Sequence, residues 1–176
     1  MKIITAPETY IKQPGDVFVF LAGGITNCSE WQKEVIRRLE NANKLDSKLD
    51  HLVVFNPRRD NFPIGDPKAA DVQIKWEFNA IEQCDIFSMY FDYGPSDQPI
   101  CMYELGRNIL RMQQKFPASW TSRIVVTVHD GYKRYKDVVV QTQLATENLI
   151  SIMKNLDDHI ANIISAYDLV LDSFDD

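Results

Sequence analysis

Basic residues are in the minority in this chain, with 19 Lys and Arg against 25 Asp and Glu and a formal net charge of -6. A nucleic-acid polymer is therefore not expected as the main partner, because polyanion binding rests on a basic surface. Cysteine is scarce as well. Cys28, Cys84 and Cys101 are far apart, odd in number and form no C-x-x-C pair, which argues against a disulfide framework or a zinc site. Buried free thiols are the ordinary use of such residues, although the closeness of Cys101 to Glu104 leaves a reactive thiol open. No apolar run approaches membrane-spanning length, and the N-terminus has no apolar signal core. A cytoplasmic protein without a membrane partner is expected. The glycines do not form the G-x-G-x-x-G dinucleotide fingerprint, and the lysine-bearing phosphate loop is absent.

What is present is a hydrophobic fraction of 45% in 176 residues, which suits one domain over residues 1–176 with a sizeable core. Residues 17–22 are continuously apolar and β-prone and end at Gly23-Gly24, as a buried parallel strand does on entering a tight turn. Helical spacing follows over 29–42, with Ser29 as N-cap and Gln32 as its capping-box partner. Strands are expected at 52–55, 85–91 and 123–128, with a short fifth at 138–141. Helices are expected at 71–83, capped by Asp71, at 100–114, and over a long C-terminal stretch, 143–166. Strands that alternate with helices predict an α/β fold with a parallel sheet and right-handed crossovers. The size points to a flavodoxin-like or Rossmann-like three-layer sandwich of four to five strands, with a core of about 17–140 and a C-terminal helical extension.

In open α/β sheets the carboxyl ends of the strands hold the ligand. The polar segments at those ends are Gly23-Gly24-Ile25-Thr26, Asn56-Pro57-Arg58-Arg59-Asp60, Asp92-Tyr93-Gly94 and His129-Asp130-Gly131. The Arg58-Arg59 pair suits bidentate anion binding, so a phosphate clamp is one reading and a salt bridge the other. His129 is a weak proton-carrier candidate; His51 and His159 fall at expected surface positions. Trp76 fits a core stripe better than a base-stacking platform. The carboxylates Glu77 and Glu104 form the more informative pair. Glu104 lies at the expected start of a helix, where the dipole favours its ionised form. Glu77, beside Trp76, is expected to have a raised pKa. Two carboxyl groups in unlike environments can divide nucleophilic and proton-transfer work in glycosidic cleavage.

The combination of Phe20-Leu21-Ala22-Gly23-Gly24-Ile25, Trp31-Gln32, Asn56-Pro57-Arg58-Arg59-Asp60, Gln73-Ile74-Lys75-Trp76-Glu77, Cys84-Asp85-Ile86 and Tyr103-Glu104-Leu105-Gly106, followed by Gly131-Tyr132 and Arg134, resembles the nucleoside 2-deoxyribosyltransferase superfamily over about residues 17–140. That resemblance implies a flavodoxin-like fold, a homo-oligomer, and cleavage of the N-glycosidic bond of a (deoxy)nucleoside or nucleoside monophosphate. It implies Glu104 as the nucleophile of a covalent glycosyl-enzyme, with the sugar passed to another base or to water. Glu77, eight residues before Asp85, corresponds to the acidic residue that assists the base. Gly23 to Thr26 corresponds to a loop lining the substrate site. Gln98, with Asp97 beside it, stands six residues before the nucleophile, where relatives contact the sugar. No metal or redox cofactor is implied. Two rival expectations are a non-catalytic nucleotide-binding or sensor domain on the same fold and a flavodoxin-like redox protein.

Overall fold

The computed structural model describes residues 1–63 and 65–174. In chain order the elements are β1 (Lys2–Thr5), β2 (Val17–Gly23), α1 (Trp31–Asp46), β3 (Leu52–Asn56), α2 (Pro67–Gln83), β4 (Ile86–Phe91) and α3 (Pro99–Lys115). A 3-10 turn at Trp120–Arg123 leads into β5 (Ile124–Val128), α4 (Tyr135–Ala145), β6 (Ile152–Met153) and α5 (Leu156–Asp172). The strands form one sheet in the order β1-β3-β2-β4-β5-β6, with every pairing parallel. The α/β sandwich is therefore as expected, with six strands in place of four or five.

The central strands are buried along their length except at Gly23, the half-buried last residue of β2. A strand covered on both faces has no solvent side, which is why these segments read as unbroken apolar runs. One face packs Trp76, Ala80 and Ile81 of α2, Leu105, Ile109 and Met112 of α3, and Val138 of α4. The other packs Trp31, Val35 and Leu39 of α1 against Ile160, Ile163, Tyr167 and Val170 of α5. The sheet order reverses between β2 and β4, which pair directly. A crevice opens at such a switch point, outside the carboxyl ends of the two strands.

Four local expectations are corrected. Residues 138–141 are helical, within α4; Val138 and Thr142, one turn apart, are its buried contacts, and tertiary packing overrides the β preference of three valines. The expected helix 143–166 is two helices with a strand between them. Glu147 and Asn148 adopt left-handed backbone, with φ of 51° and 60°, which terminates α4, and β6 then pairs with β5. Ser29 does not cap α1; its backbone N–H instead donates to Asp92 Oδ2 at 2.5 Å. Helix α2 begins at Pro67, with Asp66 as the capping residue rather than Asp71.

His159 is also corrected, from surface to fully buried. Its ring nitrogens meet Ser88 Oγ of β4 and Thr127 Oγ1 of β5, each at 2.8 Å. Burial pushes the imidazole pKa from 6.5 down to about 3. The unfolded chain binds a proton at this site below pH 6.5 and the folded chain does not, so stability is lost as pH falls from 6.5 toward 3. Between pH 7 and pH 4.5 this residue should account for a loss of about 2–3 kcal/mol. Urea unfolding of the wild type and of His159→Gln at both pH values measures it. An equal acid loss in the two proteins would rule His159 out as the source.

Candidate active site

The crevice at the switch point is a cavity of about 340 Å³, lined by the end of β2 and its following turn, by Pro57 and Glu77, and by Ser96, Gln98, Pro99, Ile100, Cys101 and Glu104. Of the residues singled out from sequence, Gly23, Gly24, Ile25, Thr26, Glu77, Gln98 and Glu104 share this wall. Glu77 arrives on α2 and Glu104 on α3, so the two carboxyl groups come from helices on the same side of the sheet.

Their electrostatics differ from expectation. Helix α3 starts at Pro99, and its first turn contains no acidic residue. Glu104 is thus in the second turn, and its carboxylate makes no hydrogen bond among the described residues. Burial pushes its pKa up to about 7, helped by the charge of Glu77 and opposed by Arg107. The pKa of Glu77 is also raised by burial, but Gln73 donates to Glu77 Oε1 at 2.8 Å and steadies its charged form. The proton of the free site therefore rests more on Glu104 than on Glu77. The first-turn dipole argument fails because that stabilisation fades beyond the terminal turn.

Gln98 holds the crevice together. It is buried, sits in left-handed backbone at φ 46° and precedes Pro99, the first residue of α3. Its Oε1 accepts from the N–H of Gly24 at 3.2 Å and of Asp92 at 3.3 Å, and its Nε2 donates to Asp92 O at 2.9 Å. One amide thereby ties the end of β2 to the end of β4. Gly24 leaves room for it, since a Cβ there would lie 2.7 Å from Gln98 Oε1 and 2.4 Å from Cys28 Sγ.

The other expected binding residues lie outside the cavity wall. Arg58 donates to the carbonyls of Ser29 at 2.5 Å, Ile25 at 2.8 Å and Cys28 at 3.4 Å. It clasps the β2–α1 loop, where a phosphate clamp or a salt bridge was expected. Arg59 lies over the Phe62 ring, and Asp60 pairs with Lys33. Asn56 brackets Arg58 through its backbone N–H and carbonyl. Asp92 anchors Ser29, and its buried Oδ1 has no partner among the described residues. Asp97 accepts from Tyr132 through its carbonyl and pairs with Lys133 through its carboxylate. His129 accepts from the N–H of Gly131 and stacks on Tyr93. Trp76 donates to Glu8 O and packs on Phe20 and Phe55.

Sequence reasoning missed Ser96 and Ile100 in the wall, and Gln73 as the partner of Glu77. Gln73 also reaches Pro57 O at 2.7 Å, and its one-turn spacing from Glu77 was a readable signal. Cys101 faces the cavity, but burial and the charge of Glu104 push its thiol well above its ordinary pKa, which keeps it protonated and poorly nucleophilic. Among the described residues no cluster of three or more His, Cys, Asp or Glu side chains is placed to hold a metal ion.

A family model described as nucleoside 2-deoxyribosyltransferase like matches residues 16–118. The chain belongs to this family. The match spans β2 through α3 and so contains both carboxyl groups, the Gly23-Gly24 turn and Gln98. No curated protein matches the chain. The family segment ends before β5, yet Tyr132, beyond it, holds the loop carrying Asp97 with a 2.6 Å hydrogen bond. The C-terminal part of the chain thus supports the family's crevice from outside the matched segment.

Proposed function

We propose that this protein cleaves the N-glycosidic bond of a (deoxy)nucleoside or nucleoside monophosphate by a retaining, double-displacement route. The observation that carries the reading is that Glu77 and Glu104 both line one cavity at the switch point, in a chain of this family. A Glu104 carboxylate oxygen attacks the anomeric carbon. The carbon–nitrogen bond breaks, its electron pair goes to the base, and the base takes a proton from Glu77 directly or through water. A second base or water then gives a proton to the Glu77 carboxylate, directly or through water, and attacks the anomeric carbon of the glycosyl-enzyme, and Glu104 departs as carboxylate. Transfer to a second base is favoured by the family. Gly23 and Gly24 let Tyr90, Trp31 and Gln98 pack against the turn that lines the cavity.

The homo-oligomer belongs to the same proposal. Its support is the exposed apolar side chains of α2, α3 and α4, among them Ile74, Phe78, Tyr103 and Leu144. A cytoplasmic setting is supported by three free cysteines and by the absence, among the described residues, of any helix long and apolar enough to cross a membrane.

The reaction uses one proton shared by two carboxyl groups. Singly protonated pairs exist between the two apparent pKa values of the pair. The rate of base release should therefore rise above the ordinary carboxylate value of 4.5, as the first proton leaves, and fall as pH passes through about 7, where the second is lost. A panel of nucleosides, deoxynucleosides and monophosphates, assayed for base release across pH 4–9, tests both claims. Binding without base release from any of them would favour the sensor reading. A profile flat through pH 7 would remove Glu77 and Glu104 as the proton-sharing pair.

A further inference from the structure

Gln73 is buried in α2 one turn before Glu77, and only the nitrogen of its amide is bonded. Nε2 donates to Pro57 O at 2.7 Å and to Glu77 Oε1 at 2.8 Å, which uses both of its hydrogens. The buried Oε1 has no partner among the described residues. An unpaired buried oxygen is costly, and turning the amide over is the ordinary relief. Here the turn is blocked, because the Pro57 carbonyl can only accept and would meet the amide oxygen in place of an N–H. That carbonyl is held in turn. It lies between Asn56, the last residue of β3, and Arg58, whose N–H and carbonyl both bond the Asn56 side chain. Gln73 is therefore locked as a hydrogen-bond donor to Glu77. Cys101 and Glu104 of α3 are the other ionisable groups on the cavity wall among the described residues. Glu104 accepts from Asn108 through its backbone carbonyl, and its carboxyl has no donor among the described residues. Arg107, the next cation along α3, pairs with Glu82 and lies over the Phe78 ring.

We propose that Gln73 is a positioning residue that keeps Glu77 the ionised member of the pair at rest, so that Glu77 takes the proton of Glu104 and hands that same proton to the departing base. The inference rests on the glycosidic function proposed for this cavity and gives its proton a direction. A donor aimed at one of two carboxyls favours the charge on that one, and a single proton settles on the other. Gln73 also decides which oxygen works. It holds Oε1, so Oε2, which has no hydrogen bond among the described residues, is left to exchange the proton. The Glu104 O–H passes its proton to Glu77 Oε2, directly or through water, and the carboxylate so formed attacks the anomeric carbon. The carbon–nitrogen bond breaks, its electron pair goes to the base, and the base takes the proton from Glu77. Glu77 is then a carboxylate again, held by Gln73 and ready for the proton of the second base or water. When Glu104 departs from the sugar, that proton returns to it and the resting pair is restored. The unpaired Gln73 oxygen is the cost of a donor that cannot turn round.

Gln73→Met and Gln73→Lys test the proposal, because they change the donor in opposite ways. Methionine is similar in length and has no N–H; lysine offers donors alone and a positive charge. Each is made in the Glu104→Gln background, where Glu77 is the one carboxyl left on the cavity wall among the described residues. Glu77 is titrated in the intact free protein by carbon NMR of labelled glutamate carboxyls, its signal assigned by its loss in Glu77→Gln. The midpoint should rise by about one pH unit with methionine, in keeping with one lost charge-assisted hydrogen bond. It should fall by about one pH unit or more with lysine. With Glu104 in place, the acid limb of base release should move the same way in each variant. A purely structural Gln73 would lower the melting temperature on substitution and leave both midpoints where they are. Midpoints that stay put, or move the same way in both variants, overturn the proposal, and base release by the wild type would then leave the glycosidic function standing. Opposite shifts in a protein that releases base from no nucleoside or nucleotide overturn that function and the proton relay with it.

Discussion

Glu104→Gln lowers base release by at least about 10³-fold and leaves nucleoside binding within a few-fold of wild type. Glutamine is close to glutamic acid in shape. The free carboxyl is already about half protonated near pH 7, so a neutral side chain reproduces much of the resting site. The wild-type carboxylate makes no hydrogen bond among the described residues, so its removal should leave no buried partner stranded. What the variant loses is an oxygen able to form the glycosyl ester. Glu77→Gln loses only proton delivery and should fall by about 10²-fold. Intact mass after incubation with a 2-fluoro sugar analogue gives the direct readout: an adduct on the wild type and none on Glu104→Gln. Base release by Glu104→Gln at the wild-type rate would end the nucleophile assignment.

Gly23→Ala destabilises the protein by about 3 kcal/mol, lowering its melting temperature by roughly 10 °C for a chain of this size. Gly23 is the last residue of β2 and stands opposite Tyr90 of β4. A Cβ at this position would lie 2.4 Å from the Tyr90 carbonyl oxygen and 2.5 Å from the Trp31 ring, and the backbone φ is 153°. Neither neighbour yields easily. The carbonyl belongs to a central strand, and Trp31 is fully buried, with its Nε1 donating to Gly24 O at 3.0 Å. Gly106, inside α3 with nothing within 4 Å of its missing Cβ, is the matched control. Gly106→Ala should be neutral or stabilising by up to about 1 kcal/mol. Thermal melting of both variants decides it, and a Gly23→Ala protein that melts within 2 °C of wild type refutes the close-approach argument. The two glycines also explain why the turn after β2 must be small on both sides. Gly23 makes room for the neighbouring strand and Gly24 for the Gln98 latch.

The readable parts of the fold were those encoded locally. Residues 17–22, 52–55 and 123–128 are largely apolar runs too short for helices, and each contains a central strand, the last starting at Ile124 after the 3-10 turn that ends on Arg123. The weak strands were missed. Lys2–Thr5 and Ile152–Met153 are edge strands, only partly covered, so they lack the continuous apolar signature and are defined by the backbones they pair with. Leu149, Ile152, Met153 and Leu156 follow helical spacing well enough to imitate one long helix. The left-handed residues Glu147 and Asn148 break it, and such a turn has no strong sequence marker without glycine.

The candidate site divides in the same way. The order of strands, turns and acidic residues along the chain was enough to single out Glu77, Glu104 and the Gly23-Gly24 turn, because a parallel sheet delivers successive strand ends to one edge, whereas Gln98 was marked by the family resemblance. Which carboxyl holds the proton was decided by the tertiary structure. Desolvation depends on what distant segments place around a group, and Glu104, the sixth residue of α3, lies beyond the first turn in which the helix terminus acts. The same holds for Arg58, whose guanidinium was a phosphate clamp or a salt-bridge partner on paper and is a clasp for three carbonyls in the fold. It holds for His159, which was a surface residue on paper and bridges two strands in the core. Residue type and order are properties of the chain; charge state and hydrogen-bond partners belong to the packed molecule, because they arise from contacts between residues far apart in sequence.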